Sequence, residues 1–322
     1  AKNGNGNKIT DLWEQNRKQQ MTDFSSQWLV AASAEATTGI HIVQGPGLYS
    51  GNPIENSWVR VGNNQSTGFS LHRTQHSIVM GANHGMYSLN RENRKWNQLH
   101  DETLTEVLAV ASSSIGDPGL IAGSPYGVAS SYKDDLQAIR WIFHSDKLSP
   151  NERYTNTVII DPDDHSRWIC GTEAGIITYT NSGSNFEHSN ICDVPVRALH
   201  HNHEGFWAGC DQGGIYNSLD GLSWKLSVKR IEVPVYGITS CNGEIVAATG
   251  RGILLGTSKK LSNLLGPQML FADVAIDPSN SNHWLAAASP GGLWFSTDRG
   301  EQWKQITPFK NARCILPPEK NI

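Results

Sequence analysis

The sequence lacks the features that would assign it directly to a functional class. It contains no apolar run that approaches the ~20 residues of a membrane-spanning helix. It has no basic stripe of the kind that binds nucleic-acid phosphates, and its net charge is −4. A phosphate-binding Gly-rich loop and a Gly-x-Ser-x-Gly nucleophile elbow are also missing. The residues therefore predict no membrane span, no nucleic-acid partner and no cofactor.

Cysteine is scarce, and the spacing of the cysteines suggests no disulfide framework. The five cysteines form an odd number and include no Cys-x-x-Cys pair. Cys170, Cys210 and Cys241 lie in or beside predicted strands, which favours buried thiols that behave as small apolar residues. One disulfide is the alternative if the protein is exported. Because the chain begins at Ala1 rather than Met, a processed exported protein is one expectation, but the sequence does not define the compartment.

Glycine, in contrast, is plentiful and periodic. A unit recurs in which a small residue ends one strand, a short turn and a glycine follow, and an apolar strand begins. The repeat glycines are Gly47, Gly85, Gly127, Gly175, Gly214, Gly252 and Gly292. Their spacings of 38, 42, 48, 39, 38 and 40 residues predict seven propeller blades of about four short strands each. Each turn needs a positive φ, which glycine adopts at little steric cost.

A second periodic element supports this interpretation. Trp168 follows Asp161-Pro162, and Trp284 follows Asp277-Pro278, each seven residues after the aspartate. Proline cannot donate to a sheet ladder, so it ends the inner strand of its blade. The two copies lie 116 residues apart, which is close to three blade repeats.

The third element carries a family resemblance. The segment Ser296-Thr-Asp298-Arg-Gly300-Glu-Gln-Trp303 fits the Asp-box pattern Ser-x-Asp-x-Gly-x-x-Trp, and Asp220 with Trp224 belongs to a copy one residue shorter. The chain therefore resembles the Asp-box (BNR) propeller superfamily, which includes sialidases, sortilin-type receptors and photosystem II assembly factors. The resemblance covers roughly residues 20–308 and implies an all-β fold, a single β-propeller. It also implies that the box residues shape and pack a turn rather than act chemically.

The expected domain plan follows from these repeats. A seven-bladed propeller spans residues 20–308, with an N-terminal lead over residues 1–19 and a C-terminal tail over residues 309–322. The lead contains Ile9 and Leu12-Trp13, which resemble an outer strand that closes the last blade. The tail is expected to pack on the ring or to close it, and the protein is expected to be a monomer.

Candidate site residues follow from the topology of propellers. The loops that lead into the innermost strands and the turns between second and third strands share one face around the central channel, and that face usually binds the ligand. The catalytic candidates there are His84, Glu173, Asp211, Tyr236 and Asp273, and the ligand-binding candidates are Asn83, Tyr126, Tyr154, Arg197, Gln212 and Arg251. Paired carboxylates suit acid–base work on a glycosidic bond, and arginines suit an anionic substrate. Polar residues on exposed turns equally suit a solvated surface.

Three functions remain as alternatives. The first is a non-enzymatic binding or assembly module that presents this face to a partner or ligand. The second is an enzyme, a glycoside hydrolase or lyase, that acts on a carbohydrate or another small molecule. The third is a lectin-like sugar binder that stacks tyrosines on sugar rings. Sialidase activity is disfavoured, since the Arg-Ile-Pro or Arg-Leu-Pro segment of that family is absent and the nearest early arginine is Arg60.

Histidines cluster on the predicted opposite face. His200, His201, His203 and Glu204 lie within five residues, and their side chains are of the types that bind Zn, Cu or Ni. Their spacing matches no standard metal motif. A solvated turn is therefore expected there, with no metal site.

Overall fold

The structure is a computed structural model that describes residues 24–33, 45–113, 119–212, 214–228, 232–257, 260–307 and 309–320. Within these residues the chain forms 28 β-strands, a 3₁₀ turn at Phe24–Ser26 and one short helix, α1 (Pro150–Arg153). In this part of the chain no helix has the length and apolar character needed to cross a membrane. The predicted N-terminal lead, with its candidate closing strand, lies outside the described residues.

The strands are, in chain order, β1 (Trp28–Ala32), β2 (Gly47–Asn52), β3 (Ser57–Gly62), β4 (Gly68–Arg73), β5 (Ser77–Ala82), β6 (Gly85–Asn90), β7 (Trp96–Gln98), β8 (Ala109–Ser112), β9 (Leu120–Ser124), β10 (Gly127–Lys133), β11 (Ile139–Phe143), β12 (Thr155–Ile160), β13 (Trp168–Thr172), β14 (Gly175–Thr180), β15 (Asn185–Cys192), β16 (Val196–Asn202), β17 (Gly205–Cys210), β18 (Ile215–Ser218), β19 (Lys225–Val228), β20 (Val235–Cys241), β21 (Glu244–Thr249), β22 (Gly252–Thr257), β23 (Lys260–Leu265), β24 (Asp273–Asp277), β25 (Asn280–Ala288), β26 (Gly292–Ser296), β27 (Lys304–Ile306) and β28 (Cys314–Leu316).

These strands form seven four-stranded antiparallel sheets, the blades. Blades 2 to 7 each take four consecutive strands, from β4–β7 to β24–β27, whereas blade 1 has the order β28-β1-β2-β3. The innermost strand of each blade contacts the innermost strands of both neighbours. The blades therefore close into a ring, and the predicted all-β propeller of seven four-stranded blades is confirmed.

The C-terminal segment joins the ring at blade 1 and is held by side chains of its neighbours. Asp273 of blade 7 accepts the N–H of Ile315 in β28 at 2.8 Å. On the other side, Arg73 of blade 2 donates to the carbonyl just after β28 at 2.7 Å. The guanidinium of Arg91 forms two bonds with the carboxylate of Glu319, at 3.0 and 2.9 Å. The segment thus connects blades 7, 1 and 2.

The apolar core lies between blades. Seven clusters of buried side chains fill the spaces between adjoining blades. Trp207 packs between blades 5 and 6, and Trp284 between blades 6 and 7, each at most 1 % exposed. Burying such a side chain contributes about 1.5–3 kcal/mol. Packing between blades, rather than within one sheet, therefore accounts for most of the apolar burial.

All seven repeat glycines have a positive φ, between 86° and 138°. At Gly175 (φ 121°) a Cβ atom would also lie 2.1 Å from the carbonyl oxygen of Ile191 in the neighbouring strand. Both the turn and the close approach therefore require glycine here. The turns that these glycines end lie on the same face of the ring as the loops into the innermost strands, because strands alternate in direction within each blade. We call it the channel-mouth face.

Candidate functional site

The channel-mouth face carries the predicted site residues at the expected places in the topology. The catalytic and ligand-binding candidates occupy turns between second and third strands or the starts of innermost strands, as in β13–β14 for Glu173 and β16 for Arg197. Tyr126, Gln212 and Arg251 are exposed on turns of three different blades. Asn83 instead closes a loop, since its Oδ1 accepts the N–H of Thr67 at 2.8 Å.

Arg197 brings two of the predicted carboxylates together. Its Nε and Nη2 donate to the two oxygens of Asp211 at 2.9 and 2.7 Å. Its Nη1 donates to Glu173, and its Nη2 lies 3.3 Å from the second oxygen of Glu173. The bond with Asp211 is the first cause that raises the pKa of Arg197 above its ordinary value. A residue of blade 5 thus joins turns of blades 4 and 5.

Asn156 completes this group and was missed by sequence reasoning. Its Oδ1 accepts from Arg197 Nη1 at 3.1 Å. Its Nδ2 donates to Glu173 at 3.0 Å and to the carbonyl of Val196 at 3.3 Å. The available signal was an amide side chain near the start of the innermost strand β12, between Thr155 and Thr157. We call Asn156, Glu173, Arg197 and Asp211 the Arg197 cluster.

The cluster leaves the guanidinium without a spare donor. A guanidinium has five N–H groups, and Arg197 has five contacts with acceptors in the cluster. Two carboxylates and one guanidinium carry a net charge of −1. The arrangement therefore suits a rigid, weakly anionic surface better than an arginine clamp for an anionic substrate.

Two tyrosines flank the cluster. Desolvation by burial, followed by the charges of Glu106 and Glu173, raises the pKa of Tyr154. Desolvation, followed by the charge of Asp211, raises the pKa of Tyr236. Both phenols therefore stay neutral, and their rings border the cluster from blades 4 and 6.

Asp273 has a different environment from the other predicted carboxylates. Its two oxygens accept the N–H groups of Val274 and Ile315, each at 2.8 Å. Burial nevertheless raises the pKa of this carboxyl to about 7. Its hydrogen bonds connect β24 to β28, so its visible role is at the ring closure.

His84 lies apart from the Arg197 cluster, at an open cleft between blades 2 and 3. The cleft has a volume of about 620 Å³. It is lined by His84, Gln98, His100, Asp101, Glu102, Thr105, Ile139 and Arg140. Histidine and carboxylates meet here, but the predicted partners Glu173 and Asp211 are not among the lining residues.

Two histidines of the opposite face form hydrogen bonds to serines of the adjacent blade. His200 Nε2 lies 2.8 Å from Ser240 Oγ, and His72 Nε2 lies 2.6 Å from Ser112 Oγ. In both pairs the histidine and serine belong to adjacent innermost strands, 40 residues apart. Desolvation lowers the pKa of His200 to about 4. Among the described residues no group of three or more His, Cys, Asp or Glu side chains has the arrangement of a metal site.

In the two segments that match the Asp-box pattern best, those with Asp298 and with Asp220, side chains of the segment itself form the hydrogen bonds that shape the turn. Asp298 Oδ1 accepts from the Gln302 N–H at 2.9 Å, and Trp303 Nε1 donates to the Gly300 carbonyl at 2.8 Å. Ser296 Oγ accepts from the Gly300 N–H at 2.8 Å.

The shorter copy repeats these contacts. Asp220 accepts from the Ser223 N–H at 2.7 Å, and Trp224 donates to the Gly221 carbonyl at 3.0 Å. Both tryptophans pack in clusters between blades. The geometry is that of turn-forming residues.

All five cysteines lie within the described residues and all are free thiols. Cys170, Cys210 and Cys314 are buried, Cys241 is half-buried and Cys192 is exposed. Burial raises the pKa of Cys210 to about 12. The expected burial is thus observed at Cys170 and Cys210, whereas Cys241 is only half-buried.

No family model and no curated protein matches the chain. Solved structures do resemble it. The extracellular domain of the putative one-component system BT4673 from B. thetaiotaomicron has a TM-score of 0.60 and 14 % identity, over 87 % of this chain and 46 % of that one. The structure "YCF48 bound to D1 peptide" has a TM-score of 0.56 and 17 % identity, over 79 % of this chain and 87 % of that one.

A third similar structure is the extracellular domain of the putative hybrid two-component system BT3049 from B. thetaiotaomicron, with a TM-score of 0.57 and 15 % identity. It aligns over 76 % of this chain and 35 % of that one. The chain thus spans less than half the length of the two B. thetaiotaomicron structures. Identities of this size establish the β-propeller fold alone.

Proposed function

We propose that the protein is a non-enzymatic binding or assembly module that presents its channel-mouth face to a protein partner. The observation that carries this proposal is the saturation of Arg197. All its donors contact Asn156, Glu173 and Asp211. The cluster is pre-organised and would cost little side-chain entropy on binding.

The same geometry weakens the enzyme alternative. A glycosidase needs one carboxyl group as acid and a second as base or nucleophile. Glu173 and Asp211 instead share one guanidinium, whose N–H groups occupy oxygens of both carboxyl groups. The lectin alternative would use Tyr126, whose ring is exposed, with Tyr154 and Tyr236.

The similar structures favour binding as well, by analogy of fold only. One of them is YCF48 bound to D1 peptide, and the other two are extracellular domains of a putative one-component system and a putative hybrid two-component system. We also propose that the chain is a divergent Asp-box (BNR) propeller. The full match at Ser296–Trp303 and the turn bonds of Asp298 and Asp220 support this assignment.

Site-specific photo-crosslinking tests the proposed function. A crosslinking residue replaces Tyr126 on the channel-mouth face or, as the matched control, Leu219 on the opposite face; their exposed fractions are 55 and 83 %. In cells of the protein's own source, we expect a discrete protein adduct from position 126 and none from position 219. Adducts from position 219 alone would contradict the choice of face.

A panel of chromogenic glycosides and a glycan array test the two alternatives directly. We expect no turnover and no glycan binding. Hydrolysis that is lost in both Glu173→Gln and Asp211→Asn would establish an enzyme in place of the binding module.

A further inference from the structure

The outer hairpin of blade 3 has an unusually apolar surface. Ten large hydrophobic residues are exposed in the described part of the chain, and four of them lie in blade 3. Tyr132, Leu136 and Ile142 belong to the β10–β11 hairpin, with exposed fractions of 42, 86 and 50 %. Isolated exposed apolar residues need no explanation, but a group on one hairpin marks an interaction surface.

The backbone of β11 is free to pair with another strand. β11 is at the edge of its sheet and pairs only with β10. Asp134 and Ala138 form a backbone bond next to the turn, so the alternation of an antiparallel ladder makes Arg140 the next bonded residue of β11. Trp141 and Phe143 then direct their N–H and C=O groups away from β10. No described residue bonds to these groups.

Several other outer strands carry one charged residue, as β11 does. Lysine begins β19 and β27, and β15 contains Glu187. Charged edge residues discourage the addition of a further strand. The one charge on β11, Arg140, is held by Asp134 within its own hairpin at 2.9 Å.

The cleft beside β11 is lined by two carboxylates, and one of them, Glu102, lies 3.9 Å from Arg140 of β11 itself. Ile139 and Arg140 border it on one side, and Asp101 and the exposed Glu102 border it on the other. Successive side chains of an added strand point to opposite faces. One face would meet Asp101 and Glu102, and the other would continue the apolar surface of Tyr132 and Ile142.

We propose that β11 binds an extended segment of a partner protein as a fifth strand of blade 3, and that this segment alternates basic with apolar residues. The main chain of the segment bonds to Trp141 and Phe143, its basic side chains face Asp101 and Glu102, and its apolar side chains pack on Ile142. This mode of strand addition gives affinity through the backbone and specificity through alternate side chains. The surface is separate from the Arg197 cluster, so either site can fail alone.

Synthetic peptides test the proposal with the full-length chain. The probes are a fluorescent ten-residue peptide that alternates Lys with Val, a twin with Glu in place of Lys, and a twin with backbone N-methyl groups on alternate residues. Fluorescence anisotropy is expected to show binding of the Lys peptide, with binding at least tenfold weaker for each twin. Equal binding of the N-methylated peptide would overturn strand pairing, and equal binding of the Glu peptide would overturn the basic specificity.

Protein variants locate the site. Ile142→Lys is expected to weaken binding of the Lys peptide at least tenfold. Leu226→Lys is the matched control, because Leu226 is 52 % exposed on the outer strand β19, and it is expected to leave binding within twofold. Equal effects of both variants would overturn the assignment to β11. Sedimentation velocity with and without Ile142→Lys tests a second copy as the occupant, and a dimer lost in this variant would replace the proposed partner.

Discussion

His200 gives the sharpest prediction of the fold's pH dependence. It is half-buried between β16 and β20, with its Nε2 atom 2.8 Å from Ser240 Oγ. Desolvation, followed by the charge of His201, lowers its pKa from 6.5 to about 4. The unfolded chain therefore binds a proton between these two values that the folded chain does not. The contribution of His200 to the unfolding free energy is fully present above pH 6.5 and is lost as the pH falls towards 4.

The magnitude follows from these values. Between pH 7 and pH 5, linkage gives a loss of unfolding free energy of about 2 kcal/mol from His200 alone. Because the imidazole of His200 is only half-buried, solvent screening reduces the expected loss of unfolding free energy to about 1–2 kcal/mol. His200→Gln keeps an amide near Ser240 but cannot take up the proton. This variant should therefore lose 1–2 kcal/mol less than the wild type over the same interval, on the order of the linkage figure.

Urea unfolding followed by tryptophan fluorescence at pH 5, 6, 7 and 8 measures this difference. The control is His201→Gln, because His201 is the exposed neighbour in the same strand. It should change the pH slope less than His200→Gln does, because the charge of His201 is only the second cause of the lowered pKa of His200, after desolvation. If the wild type and His200→Gln lose the same free energy between pH 7 and 5, then His200 does not titrate as the geometry requires.

Three further predictions concern other places in the ring. A folded pKa of about 7 for Asp273, against 3.8 for the free group, means that stability falls as the pH rises from 4 to 8, by about 4 kcal/mol. Asp273→Asn should remove this loss, and urea unfolding across the same pH range checks it. Gly175→Ala should lower the unfolding free energy by at least about 2 kcal/mol, whereas Gly243→Ala should cost about 1 kcal/mol, since only the first Cβ meets a backbone atom; thermal unfolding compares them. Arg197→Met should destabilise the protein by about 1–2 kcal/mol by leaving two carboxylates without their shared cation, and Glu173→Gln in the same chain should recover part of this loss in denaturant titrations.

The blade architecture could be predicted because it repeats. The seven glycines mark turns that recur once per blade, and a positive φ at each restricts the residue type strongly enough to be visible in one sequence. Blade 1 is harder to recognise in the sequence. Its innermost strand is only the three residues Cys314–Leu316, which is too short to show an alternating pattern. Its place in the sheet depends on contacts with Asp273 and β1, which are distant in the sequence.

The site could be predicted by position but not by chemistry. Glu173 and Asp211 were expected on the channel-mouth face, and Arg197 was expected to be available to an anionic substrate. The three side chains come from places 24 and 14 residues apart, and their meeting depends on the relative position of blades 4 and 5. Local sequence contains no signal for that distance. Topology therefore predicted Glu173, Arg197 and Asp211 as site residues, but it predicted neither Asn156 nor the hydrogen bonds among the four side chains.

The same limit applies to the edge of blade 3. Repeat analysis detects the blades that keep the Asp-box pattern, and the sequences of blades 3 and 6 keep almost none of it. Where the box would lie, Asp134 accepts the N–H groups of Leu136 and Ala138, each at 2.9 Å, so a different turn holds the hairpin. The hairpin that has lost the Asp-box pattern also exposes two large apolar side chains, Tyr132 and Ile142, to solvent. Blade 3, one of two blades that have nearly lost the box pattern, is therefore where selection for binding, rather than for blade packing, is best sought.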